Sequence, residues 1–491
     1  VLKTLNVPRK LSSSVGVKSF TEIPGPLNIP IWGSLYLYKL GIFNVFKYHK
    51  VLQHLHKKYG PLVKERLGFT TVIHVFDPED VKHIYQNEDK MPYVVPLQET
   101  TQLYRQKTEM SLGLGNTNGE QWYKLRNAVR HLMLRPKDVQ QFLPNVESVA
   151  DDFVERLKQK RNIRGIVPDL KRELGKWSQE SAGTVCYDKR LGYLAGGDKE
   201  QLADKVIDAN RDIFYLSGLL KFSLPIYKYL SSVKWNKLVE AEEIVVKTTN
   251  KYTAQAVQTI AELVAGNKLR PEQFIFLRSL LGKSELSDKD VAIITFSLFM
   301  DGLSTTVPSM QHNLYCLSIN PYIQEKAYQE VSTVLGNKTL MTVDDLNHLS
   351  YIKAIVKETF RMYPNGTEIS RIIQKDLVLS GYLVPAQTSV SINMGVHFES
   401  DVHFSDPLTY KPERWLRDGG EKAIHPFLLT PFGHGTRTCA GRRFAEQDMY
   451  VLLSKIVKNF RLKYAGDKPM ELVYNTLLMP EKPLEIEFIP R

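Results

Sequence analysis

Cysteine is scarce: Cys186, Cys316 and Cys439 are the only three in 491 residues. Three thiols cannot build a disulfide framework, so the chain is expected to carry reduced thiols inside a cell. Long apolar runs are missing as well. The longest clean one, near Val291–Met300, falls well short of the roughly 18 residues a spanning helix needs. Internal repeats, low-complexity tracts, a Walker-type phosphate loop and a linker long enough to separate domains are all absent. Length alone would allow about three domains; the missing linkers argue for one. Acidic residues are absent before Glu22, where Lys3, Arg9, Lys10, Lys18 and Ser12–Ser14 stand. Basic, serine-rich and acid-poor is the composition of an organelle transit peptide. No initiator methionine precedes this stretch, which reads as trimming.

What is present is ordinary globular composition, 43% hydrophobic and 24% charged, with a net charge of +12. That charge suits an acidic partner or an anionic membrane, or simply a solvated basic surface, and no nucleic-acid motif accompanies it. "EIPGPLNIPIWG" (22–33) makes a stiff, non-helical entry. Helical periodicity follows over 45–59, 121–134, 144–160 and 239–266. Strand-like runs lie at 70–76, 376–384, 388–393 and 484–489. The fold class is therefore mainly α with small β sheets.

The longest helical pattern covers 290–316, with Ser287 and Asp290 as a capping box at its start. Its buried run is interrupted by Asp301, Gly302, Ser304, Thr305 and Thr306, and then Pro308. Proline has no N–H, so the Ser304 carbonyl loses its helical partner. A local distortion is expected there, of a kind that suits a site for water and a small ligand.

Cys439 stands in "PFGHGTRTCAGRR", just before a helical pattern. A helix N-terminus and Arg437 both favour thiolate. Gly433, Gly435 and Gly441 allow close backbone approach. A redox thiol would have a second cysteine nearby, and none is there. A protease nucleophile would need a histidine base, for which neighbouring His434 is not diagnostic. Thiolate ligation of a haem iron fits best, since the glycines let the loop lie flat against a macrocycle.

This loop resembles the haem-binding loop of cytochromes P450, F-x-x-G-x-R-x-C-x-G, and matches it at Phe432, Gly435, Arg437, Cys439 and Gly441. Three more motifs follow in the family's order. "KETFR" holds the E-x-x-R pair Glu358 and Arg361, "KPERW" holds Arg414, and "WYKLR" holds Trp122 and Arg126. The resemblance implies a cytochrome P450 fold in a single domain over 22–491, preceded by the transit-like 1–21. It implies haem b (iron protoporphyrin IX) between a long distal helix and the cysteine loop. Cys439 would ligate iron, and Trp122, Arg126, Arg371 and Arg437 would hold the propionates beside Phe432. Glu358, Arg361 and Arg414 would form a buried ion network. Thr305 would serve dioxygen and proton delivery. There is one departure: Ser304 stands where the family has an acid, and Asp301 stands where it has Ala or Gly. Proton relay would then fall to Asp301 or to hydroxyls and water, or not be needed.

"GRRFAE", "YGPLVKE" and "YIKAIVKETFRMYP" are similar to the animal mitochondrial branch, and no N-terminal anchor of the endoplasmic reticulum kind precedes them. In that branch the pair matching Lys353 and Lys357 docks a [2Fe–2S] ferredoxin fed by an NADPH-dependent reductase. The enzyme would be a haem-thiolate monooxygenase on the matrix side of the inner mitochondrial membrane, peripherally attached. Its substrate would be a sterol-like lipophile, and its style is closest to arthropod ecdysteroid hydroxylases. Substrate contacts would come from 93–114, 296–305, 365–369 and 475–479, with an apolar entrance at 216–232. The alternatives are a thiolate-haem isomerase or dehydratase acting on a peroxide, and a non-catalytic haem-binding protein.

Overall fold

Among the described residues, helices predominate and four small sheets accompany them. A computed structural model describes residues 16–338, 340–417 and 424–491. The amphipathic patterns become Tyr48–Tyr59, Gly119–Met133, Leu143–Lys160 and Val233–Ala265. The main core packs Leu143–Lys160, Leu170–Tyr187, the distal helix and Arg442–Asn459 around Trp177, Phe153, Leu314 and Leu453. A second core lies against a four-stranded sheet ordered Leu62–Leu67, Thr70–Val75, Ser389–Ile392, Ile369–Ile372. Its middle pair is parallel, with Ile73 opposite Val390.

The run 376–384, expected as one strand, is a hairpin of Leu377–Leu379 and Tyr382–Val384. Ser380 and Gly381 turn it with φ of 47° and 84°, the two positive values that a tight hairpin turn demands. Lys18 pairs with this hairpin through Lys18 N–H to the Gly381 carbonyl, 2.9 Å, and Leu383 N–H to the Lys18 carbonyl, 2.9 Å. Most of the transit-like stretch, residues 1–15, lies outside the described residues.

The distal helix breaks where its sequence predicts. Ser287 caps Asp288–Met300, Asp301–Leu303 narrows to a 3-10 turn, and the α-helix resumes over Thr306–Ile319. The most apolar 18-residue window within Asp288–Ile319 has a mean hydropathy of 1.4, high enough for a membrane span by composition, although Asp301 interrupts the stretch. Most of its apolar stretch is buried within the protein, as a core helix.

Candidate functional site

The Cys439 loop is pinned at both ends. Cys439 N–H donates to the Phe432 carbonyl, 2.8 Å, and the helix Arg442–Asn459 begins three residues after the thiol. Gly433 and Gly435 take φ of 73° and 72° to shape the loop. Phe432 packs edge-on against Phe360, centroids 5.4 Å apart. His434 is no base for the thiol, because its ring packs on Tyr85 and Phe427. Cys186 and Cys316 are buried, whereas Cys439 retains accessible surface.

That surface faces inward. Burial pushes the Cys439 thiol up, Gly441 N–H opposes it, Asp301 raises it further, and Arg126 and Arg442 N–H lower it. A group both accessible and desolvated lines an internal hollow; Asp301 shares this character on the distal side, and Thr305 beside it also keeps accessible surface. The sequence points to Arg437 as the cation favouring thiolate. Its guanidinium instead turns to the carbonyls of Pro92 (2.7 Å) and Thr117 (2.8 Å) and to Asn118 Oδ1 (2.7 Å), over the Trp122 ring at 4.0 Å. Arg126 is the cation that the sulfur senses.

Arg126, Arg371 and Arg437 crowd one edge of the hollow. Burial pushes Arg437 down to about 9, and Arg371 and Arg126 push the same way. Glu88, paired with Arg371, is the one carboxylate acting against them. Three cations against one acid leave an excess of positive charge suited to a dianion. Burial alone favours the neutral Cys439 thiol, while Arg126 and the Gly441 and Arg442 N–H groups favour the thiolate that an iron would take. The residues therefore fit a haem: Cys439 would hold its iron, and Arg126, Arg371 and Arg437 would hold its propionates.

On the distal side the three polar candidates part company. Asp301 and Thr305 face the hollow. Burial raises Asp301 to about 6, with Arg105 pulling it down. Thr305 Oγ1 donates to the Asp301 carbonyl, 2.8 Å. Ser304 turns the other way: its hydroxyl donates to Asn210 Oδ1, and it lines a separate cleft of about 80 Å³ with Leu303 and Val307. A Cβ on Gly302 would sit 2.6 Å from Ser178 Oγ, so any larger residue here would force that hydroxyl to turn away. Asn365, expected at the substrate, instead ties the break. Its Nδ2 donates to the Thr305 carbonyl, 2.6 Å, and to Ser309 Oγ, 2.8 Å.

Behind the loop, Glu358 accepts from Arg361 Nη2 (2.7 Å), Arg414 Nε (3.0 Å), Lys411 N–H (3.0 Å) and Trp415 Nε1 (2.9 Å). Glu358, Arg361 and Arg414 side chains are fully buried as a network. On the surface nearby, Lys357 lies 4.2 Å over the Trp415 ring and senses Arg442, while Lys353 Nζ donates to the Asn347 carbonyl. The expected basic pair thus adjoins the start of the helix that follows Cys439.

Glu88, Asn118, Asn365 and Arg105 carry no motif. Each acts on a partner remote in sequence or through a loop, and no local pattern marks it.

A sequence model of the cytochrome P450 family matches residues 23–488. The chain is 40% identical to a probable cytochrome P450, CYP44, of Caenorhabditis elegans, covering 96% of this chain and 94% of that protein. It is 33% identical to cytochrome P450 10 of Lymnaea stagnalis, over 97% and 86%. It is 29% identical to the mitochondrial 1,25-dihydroxyvitamin D(3) 24-hydroxylase of Rattus norvegicus, over 96% and 90%. An accessible thiol on a glycine loop, an arginine-rimmed hollow, a broken distal helix and a match along nearly the whole chain lead to one conclusion: this chain belongs to the cytochrome P450 family of haem-thiolate monooxygenases.

Proposed function

We propose that this chain hydroxylates a sterol-derived lipophile in mitochondria with electrons from a [2Fe–2S] ferredoxin. The observation that carries the reading is the placement of Cys439 across one hollow from Asp301 and Thr305, beside three arginines. When bound, haem supplies dioxygen activation at its iron. Cys439 would hold the iron, with Gly441 and Arg442 N–H groups fixing the sulfur. Arg126, Arg371, Arg437 and Trp122 would hold the propionates. Asp301 would hold and release a proton, since a carboxyl near 6 changes state close to neutral pH. Thr305 would orient the water that carries it.

Relatives from rat and fly whose names carry the word mitochondrial support the compartment. Vitamin D hydroxylases among them support a sterol-derived substrate, and an ecdysteroid is of the same class. Lys353 and Lys357 lie beside Arg442 and Arg443, which share Glu446, and this leaves a net basic patch next to the cysteine loop, suited to an acidic ferredoxin supplied by an NADPH-dependent reductase. Ile226, Tyr229 and Leu230 are 56%, 86% and 66% exposed, and Phe69, Leu40 and Ile42 also expose apolar surface. Leu224 lies against Gly68, which brings the two segments close together, and their exposed apolar side chains suit peripheral membrane contact. The isomerase and passive haem-binder readings leave Asp301 and the basic patch without a role.

The test is spectroscopic and catalytic. Reduced protein under carbon monoxide should show the long-wavelength thiolate band. Cys439→His should lose it, while Cys186→Ser and Cys316→Ser keep it. Ferredoxin-supported turnover should then be measured on ecdysteroids and secosteroids. A normal band in Cys439→His, or ferredoxin-independent conversion of a peroxide alone, would overturn the reading.

A further inference from the structure

Arg105, on the helix Glu99–Lys107, is 7% exposed. A guanidinium has five N–H donors and is buried only at high cost unless they are met. One hydrogen bond engages it, Nη1 to the Leu112 carbonyl, 2.7 Å. Among the described residues no carboxylate comes within 4.0 Å of it to make an ion pair. Its Cζ lies 5.4 Å from the centroid of the Phe296 ring on the distal helix. Gly113, at φ +78°, leaves it room, since a Cβ there would stand 3.3 Å from Nη1. Glu242 and Asp301 are the acids whose charge it senses. Glu242 is already engaged by the Thr101 hydroxyl, 2.7 Å, and Asp301 lines the hollow.

Among the described residues, Arg105 Nε and Nη2 thus have no bonded acceptor, beside the distal-helix stretch that runs from Phe296 to Asp301. An incoming lipid could complete it. Two acids already face this cation, so a full negative charge on the ligand would be opposed, and a neutral acceptor would not. A hydroxyl would also bring a donor that Arg105 cannot use. We infer that Arg105 is a specificity-determining residue and that the substrate presents to it a neutral carbonyl oxygen, a ketone or enone, on an otherwise apolar frame. This rests on the lipophilic-substrate reading above and narrows it.

The test uses the haem-loaded protein and its Soret shift on ligand binding, which reads occupancy and not turnover. Two matched pairs are titrated: a 4-en-3-one steroid with its 3-deoxy analogue, and dodecanoate with dodecane. A hydrogen bond to a charged donor predicts about a 10- to 100-fold tighter Kd for the ketone over its 3-deoxy partner. Dodecanoate should gain less over dodecane. In Arg105→Met the ketone advantage should fall to within about threefold, and in Arg105→Lys some of it should return. A purely structural Arg105 would weaken both members of a pair equally, and that result overturns the inference. So does a wild-type protein that binds both steroids alike, or one that prefers the carboxylate. If Arg105→Met does not take up haem, the wild-type comparison and Arg105→Lys still decide. Soret shifts with apolar ligands but no carbonyl preference would defeat this inference alone. No shift with any of the four would defeat the lipophilic-substrate reading, and this inference with it.

Discussion

Replacing Asn365 by Asp changes one nitrogen to an oxygen and should unsettle the broken helix. In the native protein Nδ2 donates to the Thr305 carbonyl at 2.6 Å and to Ser309 Oγ at 2.8 Å. The Thr305 carbonyl keeps two other donors, Ser309 Oγ at 2.8 Å and Ser309 N–H at 3.2 Å, so it is not orphaned. Asn365→Ala therefore loses two hydrogen bonds, about 2 kcal/mol at about 1 kcal/mol each. Asn365→Asp loses the same two and points a carboxylate at a carbonyl in a desolvated site, adding roughly 1–2 kcal/mol. The new carboxyl should have a folded-state pKa above its unfolded one. Its penalty is then complete above the folded pKa and shrinks as pH falls, because the protonated acid donates again. The assay is urea unfolding of haem-loaded protein, followed by the Soret band at about pH 8 and about pH 5, with Asn365→Ala as reference. The Asp variant should be the weaker at the higher pH and should approach the Ala variant at the lower. Both variants should also divert more electrons to free peroxide, since Thr305 loses its anchor. An Asp variant as stable as Ala at both pH values would refute the idea that Asn365 holds the break by donation.

Asp301→Asn should remove from the pH profile of turnover an inflection near the value of about 6 that burial raises and Arg105 pulls down. Burial disfavours the Asp301 carboxylate, so its cost to stability is full above about 6 and is lost as pH falls toward the ordinary carboxylate range; the Asp301→Asn variant should flatten that dependence in denaturation midpoints. Lys353→Glu with Lys357→Glu should slow ferredoxin-driven turnover by about 10-fold or more and make it less sensitive to salt, while peroxide-driven turnover is unchanged; equal loss in both assays would mark a structural lesion. Deleting residues 1–15 should leave haem content intact and shift the protein out of mitochondria in cells; loss of haem on deletion would place folding information in that stretch.

Local chemistry is legible in the chain. Gly302, Thr305 and Pro308 announce the break because each removes a specific helical preference, and Cys439 announces its role through the fixed spacing of glycines and arginine. The hairpin within 376–384 reads as one strand because Ser380–Gly381 looks like strand interior until its two positive φ values are seen. Side-chain direction is not legible at all. Ser304 and Asp301 are three residues apart, yet one meets Asn210 and the other the hollow. The position of Arg437 is plain from the loop pattern but its contact is not, because its partners Pro92, Thr117 and Asn118 lie more than 300 residues away in sequence. Glu88, Arg105 and Asn365 acquire meaning only from what the fold brings to them.

The distal helix has a second life before folding. While the chain is unfolded, the most apolar 18-residue window of Asp288–Ile319 is apolar enough by composition to enter lipid. An aspartate near the centre of such a segment opposes insertion by roughly 2.5–3.5 kcal/mol. Asp301 stands in the middle third of this stretch, with Pro308 beyond. By that cost, the same carboxylate that faces the hollow would hold this core helix back from a bilayer while the chain is still unfolded. Replacing it by an apolar residue would expose the newly made chain to capture by the bilayer before its haem pocket could close.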